Sequence, residues 1–301
     1  MPVPAVSVLM SVFNSEAYLE EAVESVLAQA FSDFEFLIID DGSTDASLSL
    51  LAPYAKKDKR VQIVSRPNTG LIRALNELVE MSHGKYLARM DPDDISLPGR
   101  FEKQVQYLDA HPECVIVGSR VMLMDPYSSP VCETGQKLLH GEIEQELLHK
   151  SGWAMVHPSV MMRRDAVVKA GMYREEWKHC EDHDLFLRLA EVGKLANLPE
   201  VLLWYRRHYG SINFNKSAEQ AARKKALLQE AWGRRGLTLP EDWKPEAWAP
   251  PAPREQMREW GWAALKHGNV KVARRHAWAR LRHAPASKES WRLLYCALRG
   301  R

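Results

Sequence analysis

The chain has 301 residues, 46% hydrophobic and 27% charged, a composition typical of globular proteins that allows one large α/β domain with an appendage. Its net charge is only +2, and no stretch reaches the roughly 18 apolar residues that span a bilayer, which argues against an integral membrane protein. The four cysteines form no Cys-x-x-Cys pair, so neither a zinc knuckle nor a disulfide framework is indicated. We therefore expect a cytoplasmic protein, soluble or peripheral on the cytoplasmic face of a membrane.

Charge is distributed unevenly along the chain. Residues 1–215 contain 22 basic and 31 acidic residues, whereas residues 216–301 contain 19 basic and 8 acidic residues. Such an asymmetry suggests two parts with different partners. We expect an α/β domain over residues 1–215 and a basic, tryptophan-rich helical region over residues 216–301. The prolines Pro250, Pro251 and Pro253 predict a linker between helices.

Strand and helix patterns alternate over the first 125 residues. Asn14 and Ser15 offer N-caps for the first helix, and Thr44 or Asp45 can cap the second. Strands that alternate with helices imply a mainly parallel sheet with helices on both faces, and such sheets bind ligands beyond the carboxyl ends of their strands. Short apolar runs predict these strands: Val6–Val12, Phe34–Ile39, Val61–Val64 and Lys85–Met90.

Two of these strands end in residues suited to holding a nucleoside. The first brings Ser11 and the aromatic Phe13 to its carboxyl end, where a ring can stack on a base. The second ends in Asp40-Asp41-Gly42-Ser43-Thr44-Asp45, where a carboxylate can accept the N–H of a uracil-like base. Structural alternatives exist for both, because Phe is more often a core residue and Asp, Gly and Ser favour turns and helix caps.

The fourth strand is followed by Asp91-Pro92-Asp93-Asp94. Carboxylates two residues apart after a strand can bind Mg²⁺ or Mn²⁺, which prefer oxygen ligands and often share them with substrate phosphates. An acidic surface turn is the alternative. Three aspartates within four residues repel one another, however, which favours a bound cation.

Beyond residue 126 the pattern is less regular, and a helix from Glu181 to Val192 is its clearest element. Asp182 shares a helical stripe with apolar residues three, four and seven positions later, so it should face the packed side or a cleft. Glu181, His183 and Asp184 should turn off that stripe. A partly buried carboxylate with a raised pKa suits general-base chemistry, although Asp182 could instead cap its helix.

The order and spacing of these segments resemble those of the inverting glycosyltransferases of family 2, which have the GT-A fold. The resemblance covers roughly residues 5–212, and it is carried by five segments: 6–14, 40–45, 68–71, 88–94 and 181–185. It implies a Rossmann-like α/β fold with a mainly parallel central sheet, to which the basic region adds a C-terminal helical appendage. It also implies transfer of a sugar from a nucleotide-diphosphate sugar, by default a UDP-sugar, to an acceptor hydroxyl with inversion.

On the donor side, the resemblance implies a role for each matching position. Ser11 and Phe13 would lie against the nucleoside, and Asp41 would contact the base. Asp91 would lie near the donor ribose, and Arg73 could reach the diphosphate. Family members often have Pro-Val-Tyr-Asn where this chain has Ser11-Val12-Phe13-Asn14, which removes a hydroxyl but keeps the stacking ring.

On the metal and acceptor sides, the resemblance implies further roles. Asp93 would bind a divalent metal, Mn²⁺ or Mg²⁺, that bridges the diphosphate, and His208 would approach that metal or the diphosphate on a mobile loop. Asp182 would deprotonate the acceptor. His157 and Glu181 would line the acceptor side. The acceptor would be a saccharide, free or lipid-linked, in the synthesis of a bacterial surface polysaccharide or another glycan.

Other enzyme and binding functions remain as alternatives. A sugar-1-phosphate nucleotidyltransferase has a similar sheet but needs a glycine-rich phosphate loop after the first strand, and residues 11–15 contain no glycine. A dinucleotide-dependent oxidoreductase would need a Gly-x-Gly-x-x-Gly motif, which is missing. A non-catalytic nucleotide-sugar-binding protein could use the same fold, although the intact Asp93 and Asp182 argue against it.

The basic region contains a helical pattern from Val270 to Arg282. One side carries apolar residues and should pack inward, whereas the other side carries Lys271, Arg274, Arg275, Trp278 and Arg282. Charge runs are usually solvated faces, so a helical appendage is the simplest interpretation. The sharper hypothesis is peripheral contact with an anionic membrane that carries a lipid-linked acceptor. No recognisable nucleic-acid-binding motif accompanies the charge.

Overall fold

The structure is a computed structural model that describes residues 3–150, 152–210, 217–245 and 251–300. The chain divides into two compact units. The first consists of Met1–Val121, Gly135–Leu203 and Glu219–Glu246, and the second of Met122–Thr134, Trp204–Ala218 and Ala247–Arg301. No helix among the described residues is long and apolar enough to cross a membrane.

The strands follow the predicted segments closely in the first 90 residues and continue beyond them. They are β1 (Val6–Val12), β2 (Phe34–Asp40), β3 (Val61–Ser65), β4 (Tyr86–Arg89), β5 (Ile95–Ser96), β6 (Cys114–Met124), β7 (Pro130–Glu133), β8 (Met161–Arg163) and β9 (Lys194–Arg206). Within the described ranges, they form a sheet in the order β3-β2-β1-β4-β8-β6-β9-β5, with β7 paired to β6.

The half of the sheet that begins the chain is parallel. β1 pairs in parallel with β2 and β4, and β2 pairs in parallel with β3. All seven residues of both β1 and β2 are buried, which explains why their sequences are almost continuously apolar rather than alternating. β8 then pairs antiparallel with β4 and β6. The predicted mainly parallel α/β fold is confirmed for this half.

Helices connect the strands and cover the sheet. In the first 234 residues they are α1 (Leu19–Leu27), α2 (Ser47–Lys57), α3 (Leu71–Met81), α4 (Arg100–Ala110), α5 (His140–His149), α6 (Arg164–Lys169), α7 (Glu181–Ala190) and α8 (Ser217–Arg234). The helices that follow are α9 (Pro253–Lys266), α10 (Val270–His283) and α11 (Lys288–Arg299). The prediction that only helices occur after residue 216 is confirmed over 217–245 and 251–300. The expected linker falls partly on residues 246–250, outside the described residues.

The boundaries of the two compact units do not coincide with the predicted division at residue 215. Helix α8 belongs mainly to the first unit, because Leu227, Leu228 and Ala231 are buried in the same core as α5 and α7. The indole N–H of Trp232 also donates a hydrogen bond to the carbonyl of Leu148, at 3.0 Å. Long-range packing of this kind leaves no local signal in the sequence.

The second unit has a core of its own. Helices α9, α10 and α11 bury apolar residues together with Val131 of β7. The apolar stripe predicted on α10 is confirmed, since Ala273, Ala277 and Leu281 are buried there. Beneath α10, the ring Nε2 of His276 lies 2.8 Å from the fully buried carboxylate of Asp125.

Candidate active site

The carboxyl ends of three neighbouring strands bring the predicted donor residues to one edge of the first unit. β1 lies between β2 and β4, and Val12 pairs with Asp40 at that edge. Ser11 is buried within β1, whereas the ring of Phe13 just beyond it is 51% exposed. Phe13 is therefore not a core residue, and its open ring offers a stacking surface.

Side chains after β1 join the loop that follows β2. The N–H of Thr44 donates to Asn14 Oδ1 at 2.8 Å, and the N–H of Asn14 donates to Ser43 Oγ at 3.0 Å. Asn14 adopts a positive φ of 49°, a conformation that Asn tolerates better than most residues. These bonds hold Phe13 against the loop that carries Asp41.

The predicted N-caps are wrong, and the reason lies in these loop contacts. Helix α1 has Tyr18 as its N-cap and α2 has Ala46, and neither side chain makes a capping bond. The side chain of Asn14 instead accepts the N–H of Thr44 in the loop after β2, and the N–H of Ser15 donates to Ser47 Oγ in the first turn of α2. Asp45 still accepts the N–H of Ser47, at 2.9 Å, so it satisfies one free donor of α2 from outside the helix.

Asp41 organises the loop before α3. Its carboxylate accepts the N–H groups of Thr69 at 3.0 Å and Gly70 at 2.8 Å and forms a salt bridge with Arg66. Gly42 beside it has φ +77°, and a Cβ there would lie 2.6 Å from the backbone N of Asn68. Only glycine fits that approach. The carboxylate is thus fixed at the site edge and 2% exposed.

The three aspartates after β4 form a compact oxygen cluster. One carboxylate oxygen from each of Asp91, Asp93 and Asp94 lies within 4.8 Å of the others. Asp91 and Asp93 are half-buried, and Asp94 is buried. Oxygen donors this close suit a hard divalent cation such as Mn²⁺ or Mg²⁺, so the residues fit the metal that the resemblance implies.

A buried arginine that no local sequence motif indicates supports this cluster. Arg89 is 1% exposed, and its Nη2 donates to Asp91 Oδ1 at 2.5 Å. Burial alone would lower the pKa of Arg89, but the negative charges of Asp91 and Asp94 and the hydrogen bond to Asp91 outweigh it and raise that pKa, so Arg89 remains a fixed cation. The sequence contains one indication of this role, because the charged Arg89 ends the otherwise apolar segment Tyr86-Leu87-Ala88 of a buried strand.

Asp182 lies at the start of α7 and faces the same site. It is half-buried, and its Oδ1 accepts the N–H of His183 at 2.7 Å. Burial raises the pKa of Asp182, and the charge of Asp91 raises it further, against the lowering effect of the His183 N–H. Asp91 and Asp182 therefore share one electrostatic site although 90 residues separate them. The helix begins after Cys180, so Asp182 is not its N-cap.

The prediction that Glu181, His183 and Asp184 turn off the packed stripe is wrong. All three are buried, and Asp182 is the most exposed member of the group. Asp184 forms salt bridges with Arg174 and Arg188. His183 lies 2.7 Å from the carbonyl of Leu147 through Nε2, and burial lowers its pKa to about 4. Helix α7 is packed on nearly every side, and residues distant in sequence satisfy the polar groups of His183 and Asp184.

Glu181 is a buried carboxylic acid beside Asp182. Burial and the charge of Asp182 raise the pKa of Glu181 from 4.5 to about 7. Its Oε2 has no hydrogen-bond partner among the described residues. A buried acid of this kind keeps its proton to a higher pH than an exposed one, so part of the population is neutral near pH 7, which suits a residue that contacts substrate hydroxyls.

The raised pKa of Glu181 predicts a pH-dependent effect of Glu181→Gln. Because the folded state holds this proton up to about pH 7, ionisation of Glu181 destabilises the fold progressively from pH 4.5 to about pH 7. The Gln variant lacks that loss, so its free energy of unfolding should exceed that of wild type by up to about 3 kcal/mol at pH 8 and by little at pH 4. Denaturant unfolding at both pH values measures this difference, and an equal difference at both would contradict the assignment.

His157 lies in the same region, held by Tyr173, which no local sequence motif indicates. Its Nε2 is 2.8 Å from the hydroxyl of Tyr173, and its ring lies 6.0 Å from that of Phe186 in α7. Burial and the charge of Arg89 lower the pKa of His157 well below its ordinary value. A neutral imidazole held by Tyr173 can orient a hydroxyl group without competing for its proton.

Two predicted residues are placed differently. Arg73 is exposed on α3 and paired with Glu175, with Nε 2.8 Å from Oε1, so it would have to leave that partner to reach a diphosphate. His208 follows β9 in the second unit, whereas the other predicted site residues lie in the first. Its role toward a metal therefore stays a prediction.

Comparison with known sequences identifies the family. The family model described as glycosyl transferase family 2 matches residues 7–170, more than half of the chain. The amylovoran biosynthesis glycosyltransferase AmsE of Erwinia amylovora is 34% identical over 240 residues, covering 76% of this chain and 89% of the relative. The O-antigen biosynthesis glycosyltransferase WbnJ of Escherichia coli is 34% identical over 221 residues, covering 72% and 83%.

Comparison with solved structures confirms the fold. TarS 1–349 of S. aureus, solved with UDP-GlcNAc, has a TM-score of 0.58 at 16% identity and covers 97% of this chain and 90% of that one. The mannosyltransferase PcManGT of Pyrobaculum calidifontis, solved with GDP-Man and Mn²⁺, has a TM-score of 0.57 at 16% identity, with coverage of 98% and 80%. The architecture is that of the GT-A glycosyltransferases, and by its sequence this chain belongs to glycosyltransferase family 2.

Proposed function

We propose that this glycosyltransferase moves a sugar from a nucleotide-diphosphate sugar, with UDP as the favoured nucleotide, to an acceptor hydroxyl with inversion. One observation carries the proposal. Asp91, after β4, lies close enough to Asp182, at the start of α7, for its charge to raise the pKa of Asp182. This supports a site in which a donor-side loop and a candidate base lie together.

The chemistry assigned to this chain is a direct displacement at the anomeric carbon. Asp182 would remove the acceptor proton as the hydroxyl attacks, and its raised pKa moves it toward the range in which a carboxylate is an effective base. Tyr173 and His157 would orient that hydroxyl, and Glu181 would contribute a further hydrogen bond. Phe13 would stack on the base, and Asp41 would contact it.

A divalent metal fits the donor side of this proposal. Asp93 would hold it, with Asp91 and Asp94 close by. When bound, such a metal neutralises charge on the departing nucleoside diphosphate. The protein contributes a set of carboxylates, of which Asp91 is held by Arg89.

Surface polysaccharide synthesis is the proposed biological context. AmsE and WbnJ are named for amylovoran and O-antigen biosynthesis, and they match most of this chain. The acceptor would be a saccharide, free or lipid-linked. We further propose that residues 216–301 bring the protein to a membrane that carries this acceptor. The four free cysteine thiols fit a reducing compartment such as the cytoplasm.

A screen of nucleotide sugars tests the donor assignment. The purified protein with Mn²⁺ is expected to release UDP from a UDP-sugar faster than GDP from a GDP-sugar, and to lose that activity with a metal chelator. If the protein released GDP from a GDP-sugar but no UDP from a UDP-sugar, the assigned nucleotide would change, and the assigned reaction, sugar transfer, would not. Pyrophosphate-dependent formation of a sugar-1-phosphate would instead support the nucleotidyltransferase alternative, and tight donor binding without turnover would support a non-catalytic binding protein.

A further inference from the structure

The last helix, α11, presents two different faces. Ser290, Leu293, Leu294 and Ala297 are buried in the core of the second unit. On the outer side, Trp291, Tyr295 and Leu298 are 55%, 59% and 52% exposed. These three positions, four and three residues apart, fall on one side of the helix. We call Trp291, Tyr295 and Leu298 the aromatic ridge.

The aromatic ridge is surrounded by positive charge. Lys288, Arg292 and Arg299 are exposed on the same helix. Its single acidic residue, Glu289, is half-buried, accepts the indole N–H of Trp262 at 2.9 Å and lies 3.8 Å from Arg292. The face therefore combines apolar rings with cations, the composition of helices that lie at a membrane surface.

Trp291 and Tyr295 of the ridge have hydrogen-bond partners within the same unit. The indole N–H of Trp291 donates to the carbonyl of Pro285 at 2.9 Å, which satisfies its polar group and leaves the ring exposed. Arg299 donates to the hydroxyl of Tyr295, and its guanidinium lies 5.3 Å from the centre of that ring. Held in place, these rings lose little conformational freedom on binding.

The charge on this face favours a lipid bilayer over a second copy of the chain. A twofold dimer would place the same surface on both sides of its interface, so each set of cations would face an identical set. An anionic headgroup layer instead offers the opposite charge to the three cations Lys288, Arg292 and Arg299. Trp and Tyr side chains also favour the membrane–water interface. We propose that the aromatic ridge and its cations dock this protein on an anionic lipid bilayer.

This inference places the proposed membrane contact on α11 rather than on the cationic side of α10. Arg274 of α10 is already engaged, because its guanidinium donates to the carbonyls of Ala297 and Leu298 at 3.0 and 2.9 Å. Arg275 donates to Ser129 at 2.9 Å and lies 3.4 Å from Asp125. The inference deepens the membrane contact of the proposed function, but vesicle binding is measured without sugar transfer, so the two can fail separately.

Sedimentation of the full chain with lipid vesicles tests the proposal. At low salt the wild type should bind vesicles containing phosphatidylglycerol on the order of 100-fold more tightly than pure phosphatidylcholine vesicles, since each cation contributes about fivefold. High salt should reduce this preference. The triple variant Trp291→Ser, Tyr295→Ser, Leu298→Ser should bind at least about tenfold more weakly.

Trp278→Ser is the matched control, because Trp278 is 48% exposed but lies on α10. It should bind vesicles like the wild type, and both variants should keep the wild-type melting temperature because they change exposed side chains. Equal binding by the triple variant and the wild type would overturn the proposal, as would a loss confined to Trp278→Ser. The proposal would also be overturned if the wild type bound no vesicle but self-associated in sedimentation velocity, while the triple variant stayed monomeric.

Discussion

Replacing Asp93 by Ala is expected to reduce sugar transfer by about 10³-fold and to remove the Mn²⁺ dependence of nucleotide binding, while the fold survives. Asp93 is half-buried between two further aspartates whose oxygens lie within 4.8 Å of its own. A bound metal supplies several kcal/mol of charge stabilisation to a departing diphosphate, and about 1.4 kcal/mol corresponds to each tenfold in rate. Turnover assays over a Mn²⁺ titration, together with calorimetric titration of nucleotide, measure both effects.

Asp109→Ala is the matched control for this variant. Asp109 is also an acidic residue near β4, but its side chain is 51% exposed and pairs with Lys85 on the surface. Its loss should leave turnover and the Mn²⁺ titration unchanged. An Asp93→Ala protein that kept wild-type Mn²⁺-dependent turnover would remove the metal assignment from this aspartate.

Asp182→Asn is expected to lower the turnover number by roughly 10²- to 10⁴-fold while donor binding is preserved. The amide keeps the size of the carboxylate and can still accept the N–H of His183, but it cannot take a proton. Initial rates over a range of acceptor and donor concentrations separate the turnover number from the donor KM. A variant that transfers sugar at the normal rate would assign the base to Glu181 or to a group of the substrate.

Asp184→Asn separates chemistry from stability on the same helix. Asp184 is buried and paired with Arg174 and Arg188, so its neutralisation leaves two arginines undercompensated. The fold should lose about 3–5 kcal/mol, whereas turnover per folded molecule should remain close to that of the wild type. If fully folded Asp184→Asn protein lost as much turnover as Asp182→Asn, the assignment of Asp182 as the base would be contradicted.

Local patterns were sufficient to predict the parallel half of the sheet. β1 begins and ends where its apolar run does, because a strand buried on both faces needs a continuous apolar sequence. The acidic segments after β2 and β4 could also be placed at one edge of the sheet. Both strands are parallel neighbours of β1, so their carboxyl ends lie at the same edge. The order of the strands and their apolar sequences were therefore sufficient to predict which site residues follow the strand ends.

Features that depend on distant partners could not be predicted in this way. The stripe rule placed Glu181 and Asp184 away from the packed side, but Arg174 and Arg188 pair with Asp184 and allow its burial. Arg89 is similar, because a buried guanidinium needs partners, and it finds them in the carboxylate of Asp91 and the carbonyl of Met90 that follow it. A buried polar group is stable only with partners, and the sequence does not say which remote residues provide them.

The most direct test of inverting transfer in this site is the configuration of the sugar first released from its donor. The wild-type protein is incubated with Mn²⁺ and the α-linked nucleotide sugar that it hydrolyses, and proton NMR follows the anomeric signals before mutarotation. Direct displacement with water as the acceptor should give the β-anomer first, at a rate that falls sharply in Asp182→Asn. Initial release of the α-anomer would contradict a single displacement and with it the role assigned to Asp182.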